Sequence, residues 1–162
     1  MPDQACFDVI IIDGAALVNQ TEPVTLQTFK EYAENELFIP HVLTQLRMVS
    51  RADIVWDRYI EGSLKEQTRE TRGTGIRRRV EDQTKLHQNW HSFLCNNDNK
   101  TELFHYLAQK LSMLDVGDKE LYTTYDEDVL SAKSTNKTKM ERCTNKEADT
   151  RMLIHADHAA RQ

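Results

Sequence analysis

Apolar positions change their spacing several times along the chain. Phe7 to Ile12 (F-D-V-I-I-I) is a β-branched apolar run closed by Asp13-Gly14. It is too short for a helix and reads as a buried strand of the parallel type. From Val24 to Phe38 the apolar residues Leu26, Phe29, Ala33 and Leu37 recur at helical spacing. Pro40 interrupts that stripe, and Val42, Leu43, Leu46 and Val49 resume it. Ala52 to Trp56 (A-D-I-V-W) is a second short strand, closed by Asp57. Strand, helices, strand is the order of a βαβ unit and predicts an α/β fold with a parallel sheet.

Beyond Asp57 the pattern becomes polar. Ser63 to Arg72 is charged and helix-compatible, and Gly73-Thr74-Gly75 breaks it. Asn99-x-x-Glu102 matches a capping box and predicts a helix through Leu114, with Leu103, Leu107, Leu111 and Leu114 as its apolar stripe. Leu121 to Tyr125 and Val129 to Ser131, joined by Asp126-Glu127-Asp128, predict a strand pair. Residues 131–145 are rich in Ser, Thr, Asn and Lys and read as a flexible loop. Lys146 to Arg161 predicts a last helix with Ala148, Met152, Ala156 and Ala159 along its apolar face. No internal repeat is visible.

A length of 162 residues suits one domain, taken as residues 1–162, and an apolar content of 39% permits one packed core. No stretch approaches the roughly 18 consecutive apolar residues that cross a bilayer, so no membrane association is expected. Met1 to Cys6 does not resemble a secretory leader. Cys6, Cys95 and Cys143 are odd in number and far apart, which fits a reducing, intracellular compartment better than a disulfide framework. The net charge of −5 does not advertise a nucleic-acid binder, but its distribution is uneven. Between Lys65 and Lys85 seven basic residues stand against four acidic ones. Such an asymmetry steers polyanions.

Asp13 and Asp57 are each the first polar residue after an apolar strand. In a parallel sheet both belong at the carboxyl edge, where ligands collect. Two carboxylates there, joined by a third from a helix start, suit Mg²⁺ or Mn²⁺. The plainer reading is that each aspartate opens a turn, Asp-Gly being a common turn dipeptide. A haloacid-dehalogenase-like phosphatase needs a second aspartate two residues on, and that position is Ala15. Glu147 and Asp149, in K-E-A-D-T-R, start the last helix; Thr144-x-x-Glu147 also matches a capping box, so capping competes with metal binding. Lys65, Arg69 and Arg72 share one helix face, which is either a phosphate clamp or a solvated surface. Arg77, Arg78 and Arg79 extend the same basic patch or form part of a nuclear-import signal. The histidines are scattered, and His155 and His158, three apart on the last helix, read as a surface pair. Trp90 and Phe93 read as core or as packing under the basic segment.

Taken together, these segments resemble the flap-endonuclease branch of the PIN-like nuclease superfamily. I-I-I-D-G-A-A-L-V is similar to that family's first strand, and D-I-V-W-D-R-Y to its second. S-L-K-E-Q-T-R-E-T-R looks like its basic helix, and N-K-E-A-D-T-R like its acidic helix start. Residues 57–80 and the E-A-D-T-R motif also look like a group of uncharacterised animal proteins associated with mobile elements. The resemblance implies a three-layer α/β/α fold with a short parallel sheet and a basic arch-like insertion over residues 58–98. It implies metal ligation by Asp13, Asp57, Glu147 and Asp149, and phosphate orientation by Lys65 and Arg72. Arg69 and Arg77 to Arg79 then contact nucleic acid, with DNA favoured over RNA and the nucleus over the cytoplasm. The group's acidic helix leads into a strand ending in D-x-D. The chain reaches Gln162 just after that helix, so the expected domain is truncated and its metal site incomplete. The competing expectation is a non-catalytic nucleic-acid-binding or assembly module on the same scaffold.

Overall fold

The β-branched run forms strand β1 (Val9–Asp13), paired in parallel with β2 (Arg51–Val55), so that Ile11 faces Asp53 and Asp13 faces Val55. In this computed structural model, which describes residues 8–25, 27–59, 77–132 and 147–161, β2 also pairs in parallel with β3 (Glu120–Tyr125). The antiparallel β4 (Asp128–Ser131) completes the order β1-β2-β3-β4. The strand pair predicted around residues 126–128 is therefore present. Asp126 adopts a φ of 51° in its turn, a conformation that aspartate tolerates better than most residues. The helix expected over Ser63–Arg72, and most of the loop expected over 131–145, lie outside the described residues.

Central strand β2 is buried along its whole length, and alternation divides it between two environments. Ala52 and Ile54 face the hydrophobic core, joined by Trp56 just beyond the strand. Arg51 and Asp53 face the other way, towards the last helix. On the core side lie α1 (Gly14–Gln20), α2 (Phe38–Arg47), α3 (Trp90–Leu94) and α4 (Asn97–Ser112). The opposite face carries α5 (Ala148–Ala160), which packs on β1 and β2. The fold is thus mixed α/β, layered on both faces of a mostly parallel sheet.

Several boundaries depart from the periodicity. The short α1 was not expected; it starts directly from β1, with Asp13 as its N-cap accepting the Ala16 N–H at 3.1 Å. The first helical stripe holds a π-helical turn (Glu31–Glu36), and the break before α2 falls at Leu37 rather than at Pro40. Pro40 is tolerated because it lies in the first turn of α2, where a backbone N–H has no helical partner to lose. The capping box at Asn99 is also corrected. Asn96 caps α4 through the Asn99 N–H at 3.0 Å. Asn99 and Glu102 instead latch the incoming chain: Asn99 accepts the Arg78 N–H at 2.9 Å, and Glu102 accepts the Val80 N–H at 2.9 Å. That chain is further held by the Leu86 N–H on the Gln27 carbonyl at 2.8 Å. The described part of the expected arch, residues 77–98, is thereby packed onto the body, and of the two readings of Trp90 and Phe93 the core is the one realised.

Trp56 organises the core beside the sheet edge. Its ring stacks between Phe38 and Phe104, with centroids 5.7 and 4.6 Å away, and its Nε1 donates to Thr123 Oγ1 at 2.9 Å. The same ring lies over Gly14, where a Cβ would fall 2.3 Å from it. The glycine of the Asp-Gly pair is therefore required for close packing. Because Trp56 is held from both sides, Gly14→Ala should lower unfolding free energy by about 1–3 kcal/mol in urea titration. An unchanged midpoint would mean that the ring moves aside freely.

Candidate functional site at the carboxyl edge of the sheet

Asp13 ends β1, and Asp57 follows β2 by two residues, so the neighbouring parallel strands deliver both to one edge. Glu147, the N-cap residue of α5, arrives at the same place. The link is direct, since the Ala148 N–H at the start of α5 donates to Asp57 Oδ1 at 2.7 Å. A carboxylate there also receives the positive end of the helix dipole. Burial raises the pKa of Asp57 above its ordinary value; the negative charges of Asp13 and Glu147 add to the rise, against the Ala148 N–H and the Lys100 ammonium. Asp57 thus feels two of the other three acids expected to serve a metal. Asp149 lies exposed in the first turn of α5.

What brings Glu147 to this edge is the underside of α5, and that face is not the one expected. The buried residues are Ala148, Arg151 and His155, whereas Ala156 is exposed and Met152 and Ala159 are only partly covered. Arg151, 1% exposed, donates to the Trp56 carbonyl at 2.9 Å and to the Asp126 carbonyl. The arginine of E-A-D-T-R therefore binds the backbone of W-D-R-Y, one residue before Asp57. One turn on, His155 Nδ1 lies 2.6 Å from Asp53 Oδ2. Asp53 is fully buried and also holds Arg51 through two bonds of 2.7 Å. Arg51 in turn reaches His158 Nδ1 at 3.0 Å, and its guanidinium lies 4.5 Å above the Tyr122 ring.

The reading of His155 and His158 as a surface pair is corrected: both are tied into this network. A signal for it was present in the sequence. Arg51 and Asp53 are charged residues on one face of an otherwise apolar strand, and Arg151, His155 and His158 fall at i, i+4 and i+7.

Burial opposes the charge on Asp53, yet the bonds from Arg51 and His155 hold its carboxyl below the usual range. Ionised Asp53 accepts, so His155 Nδ1 donates to it. Arg51 can only donate, so His158 Nδ1 must accept and the ring is neutral. Burial and the Arg51 charge accordingly hold His158 below its ordinary value of 6.5, with Asp53 and Glu120 pulling the other way.

The basic candidates divide. Lys65, Arg69 and Arg72 lie outside the described residues. Arg77 and Arg79 pair with Glu102 at 2.7 and 3.1 Å, and Arg78 donates to the Lys85 carbonyl at 2.9 Å. Lys100 on α4 was not singled out from the sequence, yet its charge acts on Asp57. The donor chemistry at the edge, carboxylate oxygens, suits a hard divalent cation. As placed, no three His, Cys, Asp or Glu side chains among the described residues surround one point closely enough to hold an ion. Nor, among those residues, is any helix long and apolar enough to cross a membrane. No protein-family model, curated protein or solved structure matches the chain.

Asp53→Asn should cost about 3–5 kcal/mol in chemical denaturation, because Arg51 would keep a buried charge without its counter-ion. A loss below about 1 kcal/mol would show that the network is not what seats α5. The unfolded chain protonates His158 more readily than the folded one, so this contribution is full above about pH 6.5 and falls as pH drops through that value. Thermal melts from pH 7.5 to 5.5 should show a decline that His158→Gln flattens. Parallel curves for the two proteins would contradict the assignment.

Proposed function

We propose that the chain carries the catalytic edge of a metal-dependent phosphodiester hydrolase of the PIN-like, flap-endonuclease type, acting on nucleic acid. The observation that carries this reading is the placement of Asp13 and Asp57 at neighbouring strand ends, with the start of α5 held on Asp57 by a 2.7 Å bond next to Glu147. The family resemblance assigns metal ligation to these acids and to Asp149. It assigns phosphate orientation to Lys65 and Arg72, with Arg69 and Arg77 to Arg79 contacting the strand. DNA is the preferred substrate class, and a nuclear site of action goes with it.

In this reading Asp13 and Asp57 would hold Mg²⁺ or Mn²⁺, with Glu147 and Asp149 as further ligands from the start of α5. When bound, the ions supply Lewis acidity and a nucleophile at neutral pH. Asp13 and Asp57 each have one oxygen fixed by a backbone N–H, which orients the carboxylate and leaves lone pairs for a cation. Burial raises Asp57 most, and the negative charges of Asp13 and Glu147 add to the rise; a bound cation would offset both. Arg151 keeps Glu147 in register by tying α5 to the backbone just before Asp57.

The test is cleavage of end-labelled flap and single-stranded DNA in Mn²⁺ by the wild type, Asp13→Asn and Asp57→Asn. Wild-type cutting should fall on the order of 100-fold or more in each variant, about 2.7 kcal/mol in activation free energy. Folding should persist, because asparagine keeps an acceptor for the Ala16 or Ala148 N–H. Equal rates in all three proteins would remove these aspartates from the mechanism. Salt-sensitive binding without any cutting would assign a non-catalytic binding module instead.

A further inference from the structure

We propose that β1 pairs edge to edge, antiparallel, with the β1 of a second copy of this chain, joining two sheets into one about a two-fold axis at Ile11. The pairing does not depend on the hydrolase reading. Among the described residues, β1 has a neighbouring strand on one side only. All five of its residues keep part of their surface exposed, whereas all five of β2 are buried. Yet Val9 to Ile12 is an uninterrupted apolar run, the composition of a buried strand. It holds none of the charges or prolines that keep exposed edges apart, while the other edge strand, β4, carries Asp128 and Ser131. The open edge is also directional. The Asp8 carbonyl accepts the Arg51 N–H at 3.0 Å, so alternation turns the amides of Ile10 and Ile12 towards β2 and those of Val9, Ile11 and Asp13 outwards. Two copies centred on Ile11 pair Ile11 with Ile11 and Val9 with Asp13, making about six backbone hydrogen bonds.

The flank of α5 supplies the other half of the surface. Arg151 and His158 lean towards β3, reaching the Asp126 carbonyl and the edge of the Tyr122 ring. At about 100° per residue, Met152, Ala156 and Ala159 occupy the opposite flank, on the β1 side. Ala156 and the neighbouring Leu153 are exposed, and Met152 and Ala159 are only partly covered. The stripe selected by periodicity is thus the one this chain leaves open, beside the open strand. A lone partner strand would satisfy the amides and leave that flank bare; a second copy covers both. Ile11 lies level with Asp53, and Asp53 lies under His155, so the axis passes beside Ala156. Each α5 packs on its own β1 and β2, one strand spacing from the axis, which sets the two helices about 9.6 Å apart. Packed helices stand about 8–10 Å apart, and a small residue such as Ala156 suits the point of closest approach.

The experiment is analytical ultracentrifugation of the full chain over a concentration series, with amide hydrogen exchange read at Ile11. The wild type should reach the mass of two chains. Ala156→Glu should raise the dissociation constant at least about 10-fold by setting like charges across the axis. Ala156→Lys should do the same alone, and an equimolar mixture of the two variants should restore the dimer. Ile11→Pro removes an outward N–H, a change that edge strands tolerate, and should leave a folded monomer. Exchange at Ile11 should be at least about 10-fold faster in Ala156→Glu than in the wild type. A monomeric wild type would overturn the proposal; a protected Ile11 amide would then assign the edge to another segment of the chain, and a fast one to solvent. A dimer indifferent to both Ala156 variants, or a mixture that stays monomeric, would overturn it equally. None of these outcomes bears on the cleavage test of the carboxyl edge.

Discussion

Asp53 is a carboxylate at the centre of the sheet with no access to solvent, and a buried charge of that kind persists only when its partners are fixed. Two of those partners come from different elements: Arg51 from its own strand and His155 from α5. The helix is therefore seated by directed bonds more than by an apolar stripe. Directed bonds specify register in a way that an apolar surface does not. A one-residue rotation of α5 would take His155 from Asp53, His158 from Arg51 and Arg151 from the Trp56 carbonyl together. The consequence appears at the far end of the helix, where the correct register places the Ala148 N–H on Asp57 and Glu147 beside it.

The two ends of α5 thus have opposite electrostatic characters. Beneath its middle and last turn, opposite charges compensate, and Asp53 is held ionised. At its first turn burial, with the like charges of Asp13 and Glu147 adding to it, pushes Asp57 towards its neutral form. Stabilising one end makes it possible to hold repulsion at the other, a common division between scaffold and site. Trp56 joins the two. It fills the core between Phe38 and Phe104, lies against Gly14 directly after Asp13, and offers its carbonyl to Arg151 directly before Asp57.

Sequence periodicity revealed the elements whose burial is apolar. The runs ending at Asp13 and Asp57 became adjacent parallel strands, and Leu103, Leu107 and Leu111 lie on the buried face of α4. Periodicity failed where side chains bury through polar bonds. The buried face of α5 contains an arginine and a histidine, so a search for small apolar residues selected the wrong stripe. Asn99 and Glu102 had the spacing of a cap but serve as tertiary latches, a distinction that depends on chain arriving from residues 77–80. The candidate acids were legible because strand ends mark them. Lys100 was not, because a single lysine in the first turn of a polar-surfaced helix resembles any other solvated charge until the fold turns it towards Asp57.

That Asp13, Asp57 and Glu147 form one electrostatic unit is the claim on which the site stands. The direct measurement is a carboxyl-carbon NMR titration of Asp57 in the wild type, Asp13→Asn and Glu147→Gln, without added metal. Asp57 should titrate above its ordinary value in the wild type and move down towards it when either neighbour is neutralised. An ordinary Asp57 titration, indifferent to both substitutions, would show that the acids do not share a site and would contradict the account.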